Sequence, residues 1–176
     1  MVRRINIFGG PGSGKSTLAC ELFAYLKKIG KPIELVNEWI KSWAWQGIKP
    51  SGYDQLYTFA KQLRREDLIL RSGGLIITDA PILMQAYYAE RIGMKQLSGR
   101  LVETCKDFDA QYPSLNLLLT RSTTYDPRGR YETEEQAKDI DAGLITLLVE
   151  HSVVFQSISL GHFEMLCLIA KNSLES

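Results

Sequence analysis

The chain is poor in cysteine, nearly free of net charge and without any long apolar run. Its three cysteines, Cys20, Cys105 and Cys167, are far apart, odd in number and lack metal-ligand spacing. They exclude a disulfide scaffold and read as thiols of a reducing cytosol. Lys and Arg number 21 and Asp and Glu 20, leaving a formal charge of +1. A domain that held long nucleic acid by bulk charge would carry a larger positive excess, so only a local basic site stays open. No stretch approaches the roughly 18 apolar residues that span a bilayer. The apolar start meets a glycine-rich loop too soon for a secretory signal. A cytoplasmic protein with no membrane partner is expected. Internal repeats, low-complexity tracts and Gly/Ser linkers are also lacking.

What is present fits one globular domain over residues 1–176, with 45% hydrophobic and 23% charged residues. Apolar runs alternate with amphipathic ones. Strands are expected at 2–8, 33–36, 75–78, 115–119 and 153–158. Helices are expected at 16–29, 53–71, 83–91, 96–108, 133–150 and 162–171, with a helical turn or two at 39–45. In the helix over 53–71, Tyr53, Leu56, Tyr57, Ala60, Leu63 and Leu70 share a face that should turn inward, with Lys61, Arg64, Arg65 and Glu66 off it. Thr133 and Gln136 fit a capping box at the start of the helix over 133–150. Strands alternating with helices imply a parallel sheet covered on both faces. The segment 121–132 has no periodicity, holds Pro127 and Gly129, and is long and charged for a connection, which favours a lid.

The strongest motif is Gly9-Gly10-Pro11-Gly12-Ser13-Gly14-Lys15-Ser16. It matches the phosphate-binding loop, and it sits after a strand and opens a helix, as that loop must. Glycines at 9, 10, 12 and 14 let backbone N–H groups curl around phosphate, Ser13 and Thr17 extend the cradle, and the helix N-terminus adds partial positive charge. Lys15 supplies a full charge to the outer phosphates of ATP, and the Ser16 hydroxyl ligates Mg²⁺. Asp79, ending the apolar run Leu75-Ile76-Ile77-Thr78, stands where a Mg²⁺-organising carboxylate belongs; its bland alternative is a cap for the next helix. Glu38, after the second strand, stands in the crevice outside the strand ends, placed to take a proton from an acceptor hydroxyl, unless it is a solvated surface residue.

Arg128 and Arg130 flank Gly129 in the aperiodic segment and suit a loop that closes over ATP. Arg121, directly after the fourth strand, touches nucleotide or is structural. Trp39, Trp43 and Trp45 cluster near Glu38 and either stack on a base or belong to the core. Arg64 and Arg65 hold an acceptor phosphate or form a solvated helix face. His151 and His162 show no partner pattern.

With these residues the sequence resembles the phosphate-loop kinases of the thymidylate and nucleoside kinase group, especially short ones encoded by bacteriophages. The resemblance rests on residues 9–17, Asn37-Glu38-Trp39, Thr78-Asp79-Ala80-Pro81 and the stretch 125–135 that begins Tyr125-Asp126-Pro127-Arg128-Gly129-Arg130. It implies a three-layer α/β fold, with a five-stranded parallel sheet, helices on both faces and a short lid at about 121–134. It also implies that Lys15 and Ser16 hold ATP and Mg²⁺, that Glu38 faces the acceptor and that Arg130, with Arg128 beside it, is the lid arginine. One departure is Asp79-Ala80, where that group commonly has an acid followed by arginine, so the arginine that would contact phosphate is missing and a different acceptor geometry is expected.

The expected activity is ATP- and Mg²⁺-dependent phosphoryl transfer to a pyrimidine nucleotide-type acceptor, free or as 5-hydroxymethyluracil in phage DNA. The alternatives are a free nucleoside or nucleotide kinase, a nicotinamide riboside-type kinase, and an ATP-driven switch. The Asn-Lys-x-Asp pattern of a GTPase is absent, and an AAA-type motor would need a further helical domain. A nucleic-acid-binding module that senses ATP would have to use a groove such as Arg64, Arg65, Arg91, Lys95 and Arg100. A dimer is compatible with all of these.

Overall fold

The computed structural model describes residues 1–121 and 125–175. Its central strand, β1 (Arg4–Phe8), is buried at every position. Ile5 and Ile7 turn to one side of the sheet and Phe8 to the other, the alternation a pleated strand imposes. β2 (Ile33–Val36), β3 (Leu75–Thr78), β4 (Ser114–Leu119) and β5 (Gln156–Ile158) complete a five-stranded sheet in the order β2-β3-β1-β4-β5. Every pairing is parallel, with Arg4 opposite Ile76 on one side and Ser114 on the other.

The helices are α1 (Lys15–Lys28), α2 (Lys41–Trp45), α3 (Asp54–Leu70), α4 (Leu83–Arg91), α5 (Lys95–Gln111), α6 (Glu134–Glu150) and α7 (Phe163–Glu175). α1 and α7 pack Leu18, Leu22, Leu26, Leu166 and Ala170 against Ile5, Ile7, Ile77 and Leu117. On the other face, α3 to α6 pack around Phe8, Ile76 and Leu118. The expected α/β fold with helices on both faces of a parallel sheet is therefore observed. The expected capping box is present as well: Gln136 N–H donates to Thr133 Oγ1 at 3.3 Å and Thr133 N–H to Gln136 Oε1 at 3.0 Å. Among the described residues no helix is long and apolar enough to cross a membrane. The proposed lid includes 122–124, which lie outside the described residues.

The inward face of α3 is a correction. Tyr53, Leu56, Tyr57 and Ala60 are exposed, and the helix instead buries Gln55, Thr58, Phe59, Gln62, Glu66 and Leu70. A polar stripe wins because β1 carries Arg4 beneath it. The Arg4 guanidinium is 1% exposed, donates from Nε to the Tyr112 carbonyl at 3.0 Å, pairs with Glu66 at 3.5 Å and contacts the Asp109 carboxylate. A buried charge is tolerated only with such partners, so Glu66 and Gln62 must face inward and the helix rotates with them. The expected strand over 153–158 also shortens to Gln156–Ile158, at the sheet edge.

Burial pushes the Glu66 carboxyl up to about 7, against the pull of Arg4 and a hydrogen bond from Gln62. The folded chain therefore holds a proton that an unfolded Glu releases near 4.5. Stability contributed by that proton is present at low pH and is lost as pH rises toward about 7. Melting temperature should fall from about pH 5 to about pH 7.5, and Glu66→Gln should flatten that slope. An unchanged slope in the variant would remove Glu66 as its source.

Candidate active site

The carboxyl ends of β1, β2, β3 and β4 deliver the phosphate loop, Glu38, Asp79 and Arg121 to one edge of the sheet, the usual location of a ligand crevice in open parallel sheets. A pocket of about 400 Å³ opens there, lined by Gly12, Gly14, Lys15, Ser16 and Thr17 on one side. Glu38, Lys41, Gln55, Gln85, Arg91, Arg130 and Glu132 contribute to its other walls.

The loop curls because its glycines allow it. Gly12 has φ +77, and a Cβ there would lie 2.9 Å from the Tyr125 ring. Only glycine accepts both the left-handed backbone and that close approach. Ser13 is fully buried beneath the loop, and its Oγ has no hydrogen-bond partner among the described residues. Lys15 Nζ donates to the Gly10 carbonyl at 2.8 Å. Burial lowers the Lys15 pKa, while Glu38, Asp79 and Asp141 pull it back up and Arg130 adds to the lowering. The ammonium thus sits amid three carboxylates at the pocket floor.

Asp79 ties two strand ends to the loop. Its Oδ2 accepts the Ser16 hydroxyl, and its Oδ1 accepts the Glu38 N–H at 2.9 Å. The neighbouring Asn37 carbonyl accepts Arg65 Nη1 at 2.5 Å, so the β2 end is held from both sides. Arg65 therefore braces the Glu38 turn. The Glu38 side chain opens to the pocket yet is crowded by protein atoms. That desolvation raises its pKa, Asp79 and Glu132 add to the effect, and Lys15 and Lys41 oppose it.

The arginines separate. Arg130 lines the pocket, with Nε donating to the Asp126 carbonyl at 2.9 Å and Cζ 5.9 Å from the Tyr125 ring. Arg128 is 81% exposed and makes a two-pronged pair with Asp126, Nη2 to Oδ2 at 2.8 Å. It does not line the pocket. Arg121 lies behind the loop, its Nε donating to Asp141 Oδ2 at 2.8 Å and its Nη1 buried without a partner among the described residues. Gly10 is also outside the pocket wall; its N–H donates to Asp141 Oδ1 at 2.6 Å.

Trp39 and Trp43 pack edge to face, Tyr57 joins them, and Lys61 Nζ lies 3.9 Å over the Trp39 ring. None of the three tryptophans lines the pocket. Trp45 instead supports the segment containing Gly129, where a Cβ would fall 2.7 Å from its ring. Arg64 does not line the pocket either.

Asp141, Gln55 and Gln85 join the site without a sequence signal that picked them out. Asp141 stands 131 residues from Gly10 and 20 from Arg121, so no local spacing announces it. Among the described residues no group of three or more His, Cys, Asp or Glu could hold a metal. The Ser16 hydroxyl and Asp79 carboxylate do fit Mg²⁺, which takes few protein oxygens and keeps water or phosphate for the rest.

The family described as AAA domain matches residues 4–165. Among solved structures, a crystal structure of NadR protein in complex with NR is similar, at TM-score 0.68 and 18% identity, covering 90% of this chain and 45% of that one. A crystal structure of NadR protein in complex with NAD and AMP-PNP is similar at TM-score 0.69 and 17% identity, covering 94% and 48%. The chain thus spans about half the length of these proteins, and the likeness is one of fold. No curated protein matches.

Proposed function

The chain belongs to the AAA domain family, and on that premise we propose that it is an ATP- and Mg²⁺-dependent kinase acting on a pyrimidine nucleotide-type acceptor. This is a finer reading than the family, and one observation carries it: Asp79, buried just behind the pocket wall, joins the loop's Ser16 to the backbone of Glu38, and Ser16, Glu38 and Lys15 line a single pocket. A phosphate-binding loop alone serves any nucleotide user. A carboxylate facing it across an open pocket suits a group that receives a proton from an acceptor hydroxyl.

In this mechanism Lys15 and the loop N–H groups hold the ATP phosphates. Ser16 and Asp79 would hold Mg²⁺, which when bound neutralises charge on the phosphate oxygens. Glu38 accepts the proton of the acceptor hydroxyl, whose oxygen bonds to the γ-phosphorus as the bond to the ADP oxygen breaks. Arg130 faces the transferring group from the segment 121–134, the proposed lid. Arg128 has no contact with the pocket in this arrangement and would join it only by leaving Asp126. The wall adds Lys41, Lys49 and Arg91 against Glu38 and Glu132, a positive balance that favours anionic ligands.

Two other readings have an observation behind them. A nicotinamide riboside-type acceptor is favoured by the fold likeness to a protein crystallised with NR. An ATP-hydrolysing switch is favoured by the family description. A pyrimidine within phage DNA would have to flip out of its stack to enter the pocket. The deciding experiment supplies γ-labelled ATP with a panel of nucleosides, nucleotides, nicotinamide riboside and hydroxymethyluracil-containing DNA. Label on one class of organic acceptor identifies it. Label released only as inorganic phosphate, whatever the acceptor, overturns the kinase reading.

A further inference from the structure

In the segment 125–132 it is Arg130 that brings a cation to the pocket wall, yet its own hydrogen bond does not place it there. Nε donates to the Asp126 carbonyl at 2.9 Å, four residues back in the same segment. Such a bond moves with the segment and does not fix the guanidinium against the phosphate loop. The Tyr125 side chain makes that link. Its ring lies against Gly12, where a Cβ would meet Cδ2 at 2.9 Å and Cε2 at 3.1 Å. Its hydroxyl donates to the Glu132 carbonyl, which ties the two ends of the segment together around Arg130. Arg130 Cζ stands 5.9 Å from the ring centre and Arg121 Cζ 6.0 Å from it, both within cation–π range. Arg121 is in turn pinned to Asp141 of α6 at 2.8 Å, so the ring rests on groups that are themselves held. Tyr125 is half-buried and does not line the pocket. The neighbours of Arg130 are seated elsewhere, Gly129 against the Trp45 ring and the Tyr131 hydroxyl on the Ile48 carbonyl. Arg130 thus stands between one anchor on the phosphate loop and two beside α2.

We propose that Tyr125 is a positioning residue whose ring, seated on Gly12, holds the Arg130 guanidinium where charge gathers on the transferred phosphoryl group. This rests on the kinase reading, in which Arg130 faces that group, and adds the side chain that sets its place. A guanidinium stabilises moving charge only when it is already in position, and a misplacement of about 1 Å can cost about a hundredfold in rate. Tyr125 meets no ligand in this arrangement and acts through Arg130.

The test is a double-mutant cycle on the full chain, with Tyr125→Leu, Arg130→Ala and the two combined. Calorimetry with ADP and Mg²⁺, with and without aluminium fluoride, reads the site without turnover, because the fluoride complex mimics the moving phosphoryl group. Tyr125→Leu should leave ADP binding within a fewfold of the wild type and weaken the fluoride complex by about tenfold or more. In the Arg130→Ala background the same change should cost little further. Tyr125→Phe, which keeps the ring, should restore most of the loss. ADP formation from ATP should follow the same pattern, in kcat rather than in KM for ATP, with melting temperature near that of the wild type in every variant. Losses that add across the pair, a fluoride complex unchanged in Tyr125→Leu, no gain from fluoride in the wild type, or ADP affinity that falls as far as that of the fluoride complex overturns the proposal. A large drop in melting temperature in both Tyr125 variants overturns it as well and makes the residue structural. Coupling between the two residues with phosphate passed only to water leaves the positioning standing and overturns the kinase reading. Transfer to an organic acceptor with additive losses does the reverse.

Discussion

Lys15→Ala should lower phosphoryl transfer by at least about a hundredfold to a thousandfold, with melting temperature close to that of the wild type. Phosphoryl transfer gathers negative charge on the moving group, and little covalent chemistry falls to the protein, so a lost cation is a lost rate. The fold should tolerate the change. Burial disfavours the Lys15 charge, and its ammonium donates to the Gly10 carbonyl within the same loop. Steady-state transfer and thermal melting on the same preparation check this. Near-normal turnover would remove Lys15 from the mechanism, and a large loss of melting temperature would make it a structural residue.

The second large effect is expected at Glu38. Glu38→Gln keeps the shape and the backbone N–H that Asp79 holds, so ATP affinity should stay within a fewfold of the wild type. Transfer should fall by about a hundredfold to ten-thousandfold, the range of a positioned general base. The pH dependence follows from the raised pKa. A base works only when deprotonated, and burial makes Glu38 hold its proton to higher pH than a free Glu. The wild-type rate should therefore rise with pH through that raised value and be lost on acidification sooner than a free carboxylate would predict. The Gln variant should lack this limb. An identical pH profile in both proteins would exclude Glu38 as the base.

How much of this was legible follows from where each signal lies. The loop from Gly9 to Ser16 carries its chemistry in adjacent residues, so the sequence displays it whole, and the structure puts it between β1 and α1 as expected. β3 is a short, mainly apolar run because both faces of the sheet are covered there, and it is found at the expected residues. The Thr133 and Gln136 cap is likewise a local pattern with a local cause.

What the sequence concealed depends on distant partners. The face of α3 could not be read from its own apolar residues, because Arg4 on β1 decides it by demanding Glu66. Asp141 gains its place from Gly10 and Arg121, neither of them near it in sequence. Arg128 and Arg130 look equivalent either side of Gly129, yet Asp126 pairs with the first while the second lines the pocket. The tryptophans share a neighbourhood with Glu38 in the chain, but Tyr57 and Lys61 from α3 draw Trp39 and Trp43 into a separate aromatic cluster. The charge of +1 takes on meaning in the same way: the excess that matters is local, at Lys15, Lys41, Lys49, Arg91 and Arg130 around one pocket.

The central claim is that this pocket transfers phosphate to a hydroxyl rather than releasing it to water. Phosphorus NMR of the wild-type protein with ATP, Mg²⁺ and a panel-selected acceptor tests it directly. The account predicts an acceptor phosphoester resonance growing one for one with ADP, and neither signal growing with Lys15→Ala. ADP accompanied only by inorganic phosphate, at a rate indifferent to the acceptor, would contradict it.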